Sequence, residues 1–431
     1  REGAGGIVWD NDRFIVIAGN ANKDELKDHM IKLMTLDKKD RITSHKNFSS
    51  FYQNREDISI WMSTDLLDKF EDEFARNLDK ELSQLPGVSI SSDDILDLTD
   101  NNILTFHVDF GDGELICSSS FIPNKYLRDL INEYNIFDVD FNKEILKYLP
   151  KNNIAIWSQT LNLDDIYNLT KEYADRDIIE QFEKGMDVAV GLTVDDLLNT
   201  FGGSFAANIS SFTTYRGDPI PNFSFVFDMK DSRFVDRMIN KFGSQAGIDK
   251  TSGYYRFDAD GIDIFMDYNE SAFMLTNDKR AIRKFESSEG YSDNLTSSRK
   301  IVDNVNYLYL NLDVNEYSDL IEDLGVEDSD DKDLIMDYWG QLFESIEFNQ
   351  SIDKPSGILS AEFKINFKDK DQNILETAYE IVEKEYSNIY NAILAGSGQM
   401  GSTNDDYYDD EDYYDDEDYY DDEDYYDDED Y

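Results

Sequence analysis

Two hydrophobic periods take turns along this chain, and the stretch Phe223–Phe242 (FSFVFDMKDSRFVDRMINKF) shows both. Phe223, Phe225 and Phe227 alternate with Ser224, Val226 and Asp228, the period of a strand with one face in a core. Asp231 or Ser232 then offers a side-chain oxygen to cap a helix. That helix carries the apolar stripe Phe234, Val235, Met238, Ile239 and Phe242.

Strand, turn and amphipathic helix recur elsewhere. Ile7–Trp9 and Phe14–Ile17 flank Asp10–Arg13 as a hairpin. Asn22, with Glu25 three residues on, predicts a capping box for a helix buried through Leu26, Met30, Leu33 and Met34. Ile58–Trp61 reads as a strand leading to a helix near Leu66–Phe70. Ile103–Val108 turns at Gly111-Asp112-Gly113 into Leu115–Ser119, and Pro123-Asn124 starts a helix. Ile154–Trp157 repeats the I-x-I-W of Ile58–Trp61 and precedes a helix at Ile166–Leu169. The Phe223 strand pairs with Phe205–Thr213 through Gly217-Asp218-Pro219. A meander over Tyr255–Phe257, Ile262–Met266 and Ala272–Leu275 follows, and Asn277 caps a helix holding Ala281, Ile282 and Phe285. Tyr307–Leu312 is a third strand of the I-x-I-W type, with a helix at Tyr317–Leu324 after it. Ser345–Asn349 pairs with Ile358–Phe367, and a helix over Ile374–Leu394 closes the pattern.

Strands joined by hairpins are antiparallel, so the expected class is α+β, with tandem units of hairpin or meander plus helix. The helices are expected to pack on one face of the sheets. The recurrence divides the chain into an N-terminal half, residues 1–140, whose opening segment is expected to be missing, and a C-terminal half, 141–396. Residues 397–431 are a linker and a tail in which YYDDED repeats four times. Like charges this dense repel one another, so the tail is expected to be disordered.

Charge alters this picture most. The net charge is −53, of which the tail supplies 18, leaving −35 on the rest. Such a surface argues against binding nucleic-acid backbone or an anionic membrane. A single cysteine, Cys117, excludes an internal disulfide and a Cys-based zinc site. No run approaches the roughly 18 apolar residues of a membrane span.

Candidate chemistry is sparse. Asp109-Phe110-Gly111 spells a kinase metal-binding triplet, but the companion motifs are missing and the position reads as a hairpin turn. The glycine run at Gly3–Gly6 lacks a preceding strand and reads as an exposed end. Asp138, Asp140 and Asn142 imitate the start of an EF-hand loop without its glycine or its bidentate Glu. Asp258, Asp260 and Asp263 around Gly261 are weak candidates for a loosely bound Ca²⁺; a plain hairpin turn is the simpler reading. His29, His45 and His107 show no ligand spacing, and no Ser or Cys has an obvious base. Trp61 and Trp157 read as core packing in equivalent repeats. In the tail, Tyr407, Tyr408, Tyr413, Tyr414, Tyr419, Tyr420, Tyr425 and Tyr426 offer aromatic contacts to a cationic partner, and its carboxylates offer weak cation binding.

Several stretches are carried in a familiar order. They are Leu146–Pro150 before Ile154–Trp157 and Asp165–Leu169, then Phe201-Gly202-Gly203 with Pro221–Phe225 and Asp228–Asp231, then Gly261–Phe265 with Phe273–Asp278. Together they resemble the lipoproteins of Bacteroidetes grouped as domain of unknown function 4836. The resemblance implies a signal peptide and a lipid-modified cysteine upstream, hence a lipid anchor in the outer membrane. It implies no catalytic residue, and Cys117, mid-strand, does not fit a lipidation site.

The expectation is a non-enzymatic, envelope-associated scaffold or binding protein with no cofactor. Its partners would be envelope proteins, and its tail would engage cations or a basic partner. Two other readings stand beside it, an envelope glycan hydrolase using a carboxylate pair and an acidic chaperone for basic proteins.

Overall fold

A computed structural model of the chain describes residues 4–9, 14–19, 22–37, 39, 42–44, 46–64, 97–137, 140–216, 218–251, 253–313 and 342–380. The chain divides into two units, Arg1–Ile374 and Leu375–Tyr431, and the fold below is that of the first. The helices expected at Leu66–Phe70 and Tyr317–Leu324, and most of the closing helix, fall outside the described residues.

Local signals set the first elements. Strands β1 (Ala4–Trp9) and β2 (Phe14–Gly19) form an antiparallel hairpin, so Gly5 and Gly6 are strand residues and not a loose end. Helix α1 (Lys23–Thr35) opens with the expected capping box. Asn22 Oδ1 accepts from the N–H groups of Asp24 and Glu25 at 3.1 and 2.9 Å, and the Glu25 carboxylate accepts from Asn22 N–H at 3.3 Å. Gly6 lets the helix approach the hairpin, since a Cβ there would stand 2.5 Å from Met30 Cε. Leu26 and Met30 are buried but Leu33 is exposed, because a two-stranded hairpin is narrower than the full stripe.

Helix α2 (Lys46–Gln53) and β3 (Ile58–Ser63) follow, then the hairpin β4 (Ile103–Gly111) and β5 (Glu114–Ile122). Helix α3 (Lys125–Tyr134) is capped by Asn124, whose side chain accepts from Leu127 N–H at 2.7 Å. A 3₁₀ helix (Lys143–Tyr148) leads to β6 (Ala155–Thr160). Three helices, α4 (Leu163–Tyr173), α5 (Arg176–Val190) and α6 (Val194–Leu198), connect it to the hairpin β7 (Phe201–Tyr215) and β8 (Asp218–Met229).

Helix α7 (Arg233–Phe242) takes its cap from Asp231, whose Oδ1 accepts from Arg233 N–H at 2.9 Å. The meander is β9 (Asp249–Thr251), β10 (Tyr254–Ala259), β11 (Ile262–Tyr268) and β12 (Ala272–Thr276). Helix α8 (Lys279–Glu286) is capped by Asp278, one residue later than expected. Asn277 instead clamps β8, accepting from Phe223 N–H at 2.9 Å and donating to the Pro221 carbonyl at 2.8 Å. Helix α9 (Arg299–Val302), β13 (Asn306–Asn311), β14 (Phe343–Asp353) and β15 (Ile358–Phe367) complete the described set.

Thirteen of the described strands make one antiparallel sheet in the order β3-β4-β5-β15-β14-β13-β6-β7-β8-β12-β11-β10-β9, so the protein is a mixed α+β fold. Strands from both sides of Asp140 share it, because β5 pairs with β15 with Cys117 opposite Phe363. Directly opposed residues share a face. One face carries Ile58, Val108, Cys117, Phe363, Phe348, Leu308 and Trp157 in a single cross-strand row, and is apolar. The other runs through His107, Ser118, Glu362, Asn349, Tyr307 and Ser158, then turns apolar at Ala206, Val226 and Met274.

The core lies on this second, mixed face. Ile145, Leu146 and Tyr148 of the 3₁₀ helix, Ile282 and Phe285 of α8, and Ile301 of α9 cover Ile156, Val226 and Met274 there. The phenylalanines of β8 therefore do not face the main core. Phe223, Phe225 and Phe227 are half-buried on the apolar face, with Phe227 5.7 Å from Phe205 and 6.1 Å from Phe273, while Val226 beneath the helices is 0% exposed. The alternation fixed two faces, and closeness of the covering helices favoured the smaller side chain. Helices also meet both faces. Tyr268, on the apolar side, donates to Asp236 of α7 at 2.5 Å, while α8 and α9 pack on the mixed side, so the expected one-sided packing does not hold.

Replacing the fully buried Ile282 by Ala is expected to cost about 2–5 kcal/mol in urea unfolding. The exposed Leu33→Ala should stay within about 0.5 kcal/mol of wild type in the same assay.

Candidate functional site

The segments that enter β6 and α9 are zipped together. Pro150 bridges Asn294, and Lys151 N–H donates to the Asp293 carbonyl at 3.1 Å. Below this clasp the mixed face opens into a cleft of about 330 Å³ over the neighbouring strands β6 and β13. Ile156, Tyr307 and Tyr309 form its floor, Leu295, Ser298 and Ile301 one wall, and Lys151, Asn152, Asn153 and Asn311 its rim. Among the described residues, no Asp or Glu lines it.

Tyr307 is the most telling of these residues. It is only 6% exposed, yet its hydroxyl makes no hydrogen bond to any described residue. Burial, with the Glu347 carboxylate nearby, pushes the phenol above the ordinary tyrosine value, so it remains a donor. Asn153 is fixed by its neighbours, donating to the Pro150 carbonyl at 2.5 Å and accepting from Asn208. The Asn208 Oδ1 is buried without a partner, a place suited to an internal water. Ser298 stands at the N-cap of α9 but makes no capping bond. Among the described residues, the side chains of Lys151 and Asn152 are likewise uncommitted. The cleft thus presents hydroxyl, amide, ammonium and aromatic surface, which is recognition chemistry.

The residues singled out in the sequence lie elsewhere. Asp258, Asp260 and Asp263 share the β10–β11 turn but serve different partners. Asp258 Oδ1 accepts from Gly261 N–H at 2.9 Å, Asp263 pairs with Arg256 Nη2 at 2.5 Å, and Asp260 tops the turn at φ 54°. Asn142 caps the 3₁₀ helix and donates to Asp228 at 2.7 Å; Asp140 is exposed. His29 is exposed on α1, whereas His107 Nδ1 sits 2.8 Å from Ser59 Oγ under the ring of Phe51. Asp109-Phe110-Gly111 ends β4, where Phe110 N–H donates to Asp57 at 2.9 Å. Asp138, His45 and the eight tail tyrosines lie outside the described residues.

The two tryptophans part company. Trp157 is 42% exposed on the apolar face, with Nε1–H donating to Asn306 at 3.1 Å, so it is not core. Trp61, opposite Thr105, points to the mixed face and meets Phe48 edge-on at 5.6 Å. Matching motifs one residue out of phase put their rings on opposite sides of the sheet. The cleft itself had no motif. Its only trace was the polar Lys151-Asn152-Asn153 before a strand and the spaced tyrosines of Tyr307-Leu308-Tyr309.

These features define a mixed α+β protein with a polar cleft, lined by no carboxylate among the described residues, on a broad antiparallel sheet. Residues 4–375 match the family described as Domain of unknown function (DUF4836), and the chain belongs to that family. No curated protein and no solved structure matches it.

Asp267, on β11 and four strands from β6, is the described carboxyl whose pKa is raised, from 3.8 to about 6, chiefly by burial. The folded chain therefore binds that proton more tightly than the unfolded one, and its ionisation costs stability as pH rises through this window. Asp267→Asn should be more stable than wild type above pH 6, and the difference should vanish below pH 3.8, read as urea midpoints.

Proposed function

We propose that this chain is a non-catalytic binding protein of the bacterial envelope, holding a polar ligand in the cleft over β6 and β13. The observation that carries the reading is Tyr307 on the cleft floor, a residue only 6% exposed whose hydroxyl has no partner among the described residues. A glycan hydrolase would need two opposed carboxylates, and among the described residues none lines this cleft.

The architecture suits a scaffold. We read three recurring units, in which β3 precedes β4–β5, β6 precedes β7–β8 and β13 precedes β14–β15, each as strand, long connection and hairpin. In each unit the first strand pairs with the first strand of its hairpin, and the cleft sits where the β6 and β13 units meet. The envelope location and lipid anchor are what the family motifs lead us to expect. The YYDDED tail is the element we assign to cations or a basic partner.

Titrating monosaccharides, amino acids and short carboxylates into the full chain by ligand-observed NMR should reveal at least one binder. Tyr307→Phe, which keeps the ring, should weaken it about tenfold. Binding indifferent to that change would remove the cleft from the function. Crosslinking pull-downs from native envelope, with and without residues after Gly396, should differ in partners; identical partner sets would take the tail out of the account.

A further inference from the structure

Resting on that reading of the cleft, we infer that its ligand is a single sugar ring bearing a carboxylate, an acidic monosaccharide. The first argument is charge. The chain holds 93 Asp and Glu against 40 Lys and Arg, yet the ten residues lining the cleft include no acid and one lysine. Lys151 pairs with no carboxylate among the described residues. The nearest acid on this face, Glu347 opposite Tyr309, is held by Lys300 and Asn366, so the uncommitted ammonium of Lys151 is the charge the opening itself offers, and it suits an anion. One lysine supplies a single point charge, which balances a carboxylate and leaves a phosphate monoester, at about −1.5 to −2, only partly neutralised.

The second argument is the pattern of donors and acceptors. Tyr307 and Ser298 offer hydroxyls, and Asn152 offers an amide, none of them engaged elsewhere. Groups that both donate and accept suit ring hydroxyls, which do the same. A fatty or purely aromatic acid would leave these groups unpaired. The Tyr307 and Tyr309 rings, with Ile156 opposite Tyr309 on β6, supply the flat apolar surface that the C–H face of a sugar covers. The third argument is size. About 330 Å³ lies at the small end of ligand cavities and matches one substituted ring.

The experiment uses the full chain and matched sugars by calorimetry and saturation-transfer NMR. D-glucuronate, D-galacturonate and N-acetylneuraminate are compared with D-glucose, D-galactose, D-glucosamine and glucose 6-phosphate. At least one acidic sugar should bind about tenfold tighter than its neutral counterpart, and the advantage should shrink with added salt. Lys151→Gln should narrow that gap to about twofold, with thermal melting confirming an intact fold. Ser298→Ala should weaken acidic and neutral sugars alike, because a hydroxyl contact does not depend on the carboxylate. Equal or tighter binding of neutral, cationic or phosphorylated sugars would overturn the inference while leaving the cleft as a binding site. So would binding confined to amino acids or short carboxylates. Silence from every compound, sugars and non-sugars together, would overturn the inference and the cleft reading with it.

Discussion

The structure depends on the pairing of β6 with β13, in which Ser158 lies opposite Tyr307 and Trp157 opposite Leu308. These strands come from distant parts of the chain, so the pairing carries a loop-closure cost that local hairpins do not. What offsets it is burial on the mixed face, where Ile156 and Tyr307 join Tyr148, Ile282, Phe285 and Ile301 in one cluster. Remove that cover and the two strands lose the reason to be neighbours. The cleft exists because the cover stops short at the clasp of Pro150 and Asn294.

The same sheet explains the division of chemistry. Its apolar face carries large, half-exposed side chains such as Phe363, Leu308 and Trp157. Its mixed face is apolar under the helices and polar toward β14, β15 and β5, where Asn349 bonds Glu362 and Lys364 pairs with Glu114. The cleft lies at this change, and its lining mixes Ile156, Leu295 and Ile301 with amides and hydroxyls. An apolar floor beneath a few placed polar groups is the usual make-up of a small-ligand site.

Features written in a few neighbouring residues were legible in the sequence. The capping box of Asn22 and Glu25, the Gly111-Asp112-Gly113 turn and the hairpin of β7 with β8 each depend on contacts a few positions apart. Where two neighbours could do one job, local rules chose poorly. Asn277 and Asp278 both suit an N-cap, and only the tertiary need to clamp Phe223 and Pro221 decided between them. Face assignments failed for a different reason. Alternation says which residues share a side, and not which side is covered, so Phe223 and Trp157 were placed inward when Val226 and Ile156 hold that position. The cleft was least legible, since Lys151, Ser298 and Tyr307 meet only through a pairing and a bridge that no spacing rule encodes.

Hydrogen exchange measured peptide by peptide tests the central pairing most directly. The account expects the amides of Ala155–Thr160 and Asn306–Asn311, two inner strands, to exchange together and among the slowest in the chain, with Ile58–Ser63 at the sheet edge faster. Rapid exchange of either inner strand, or exchange of the two at unrelated rates, would contradict it.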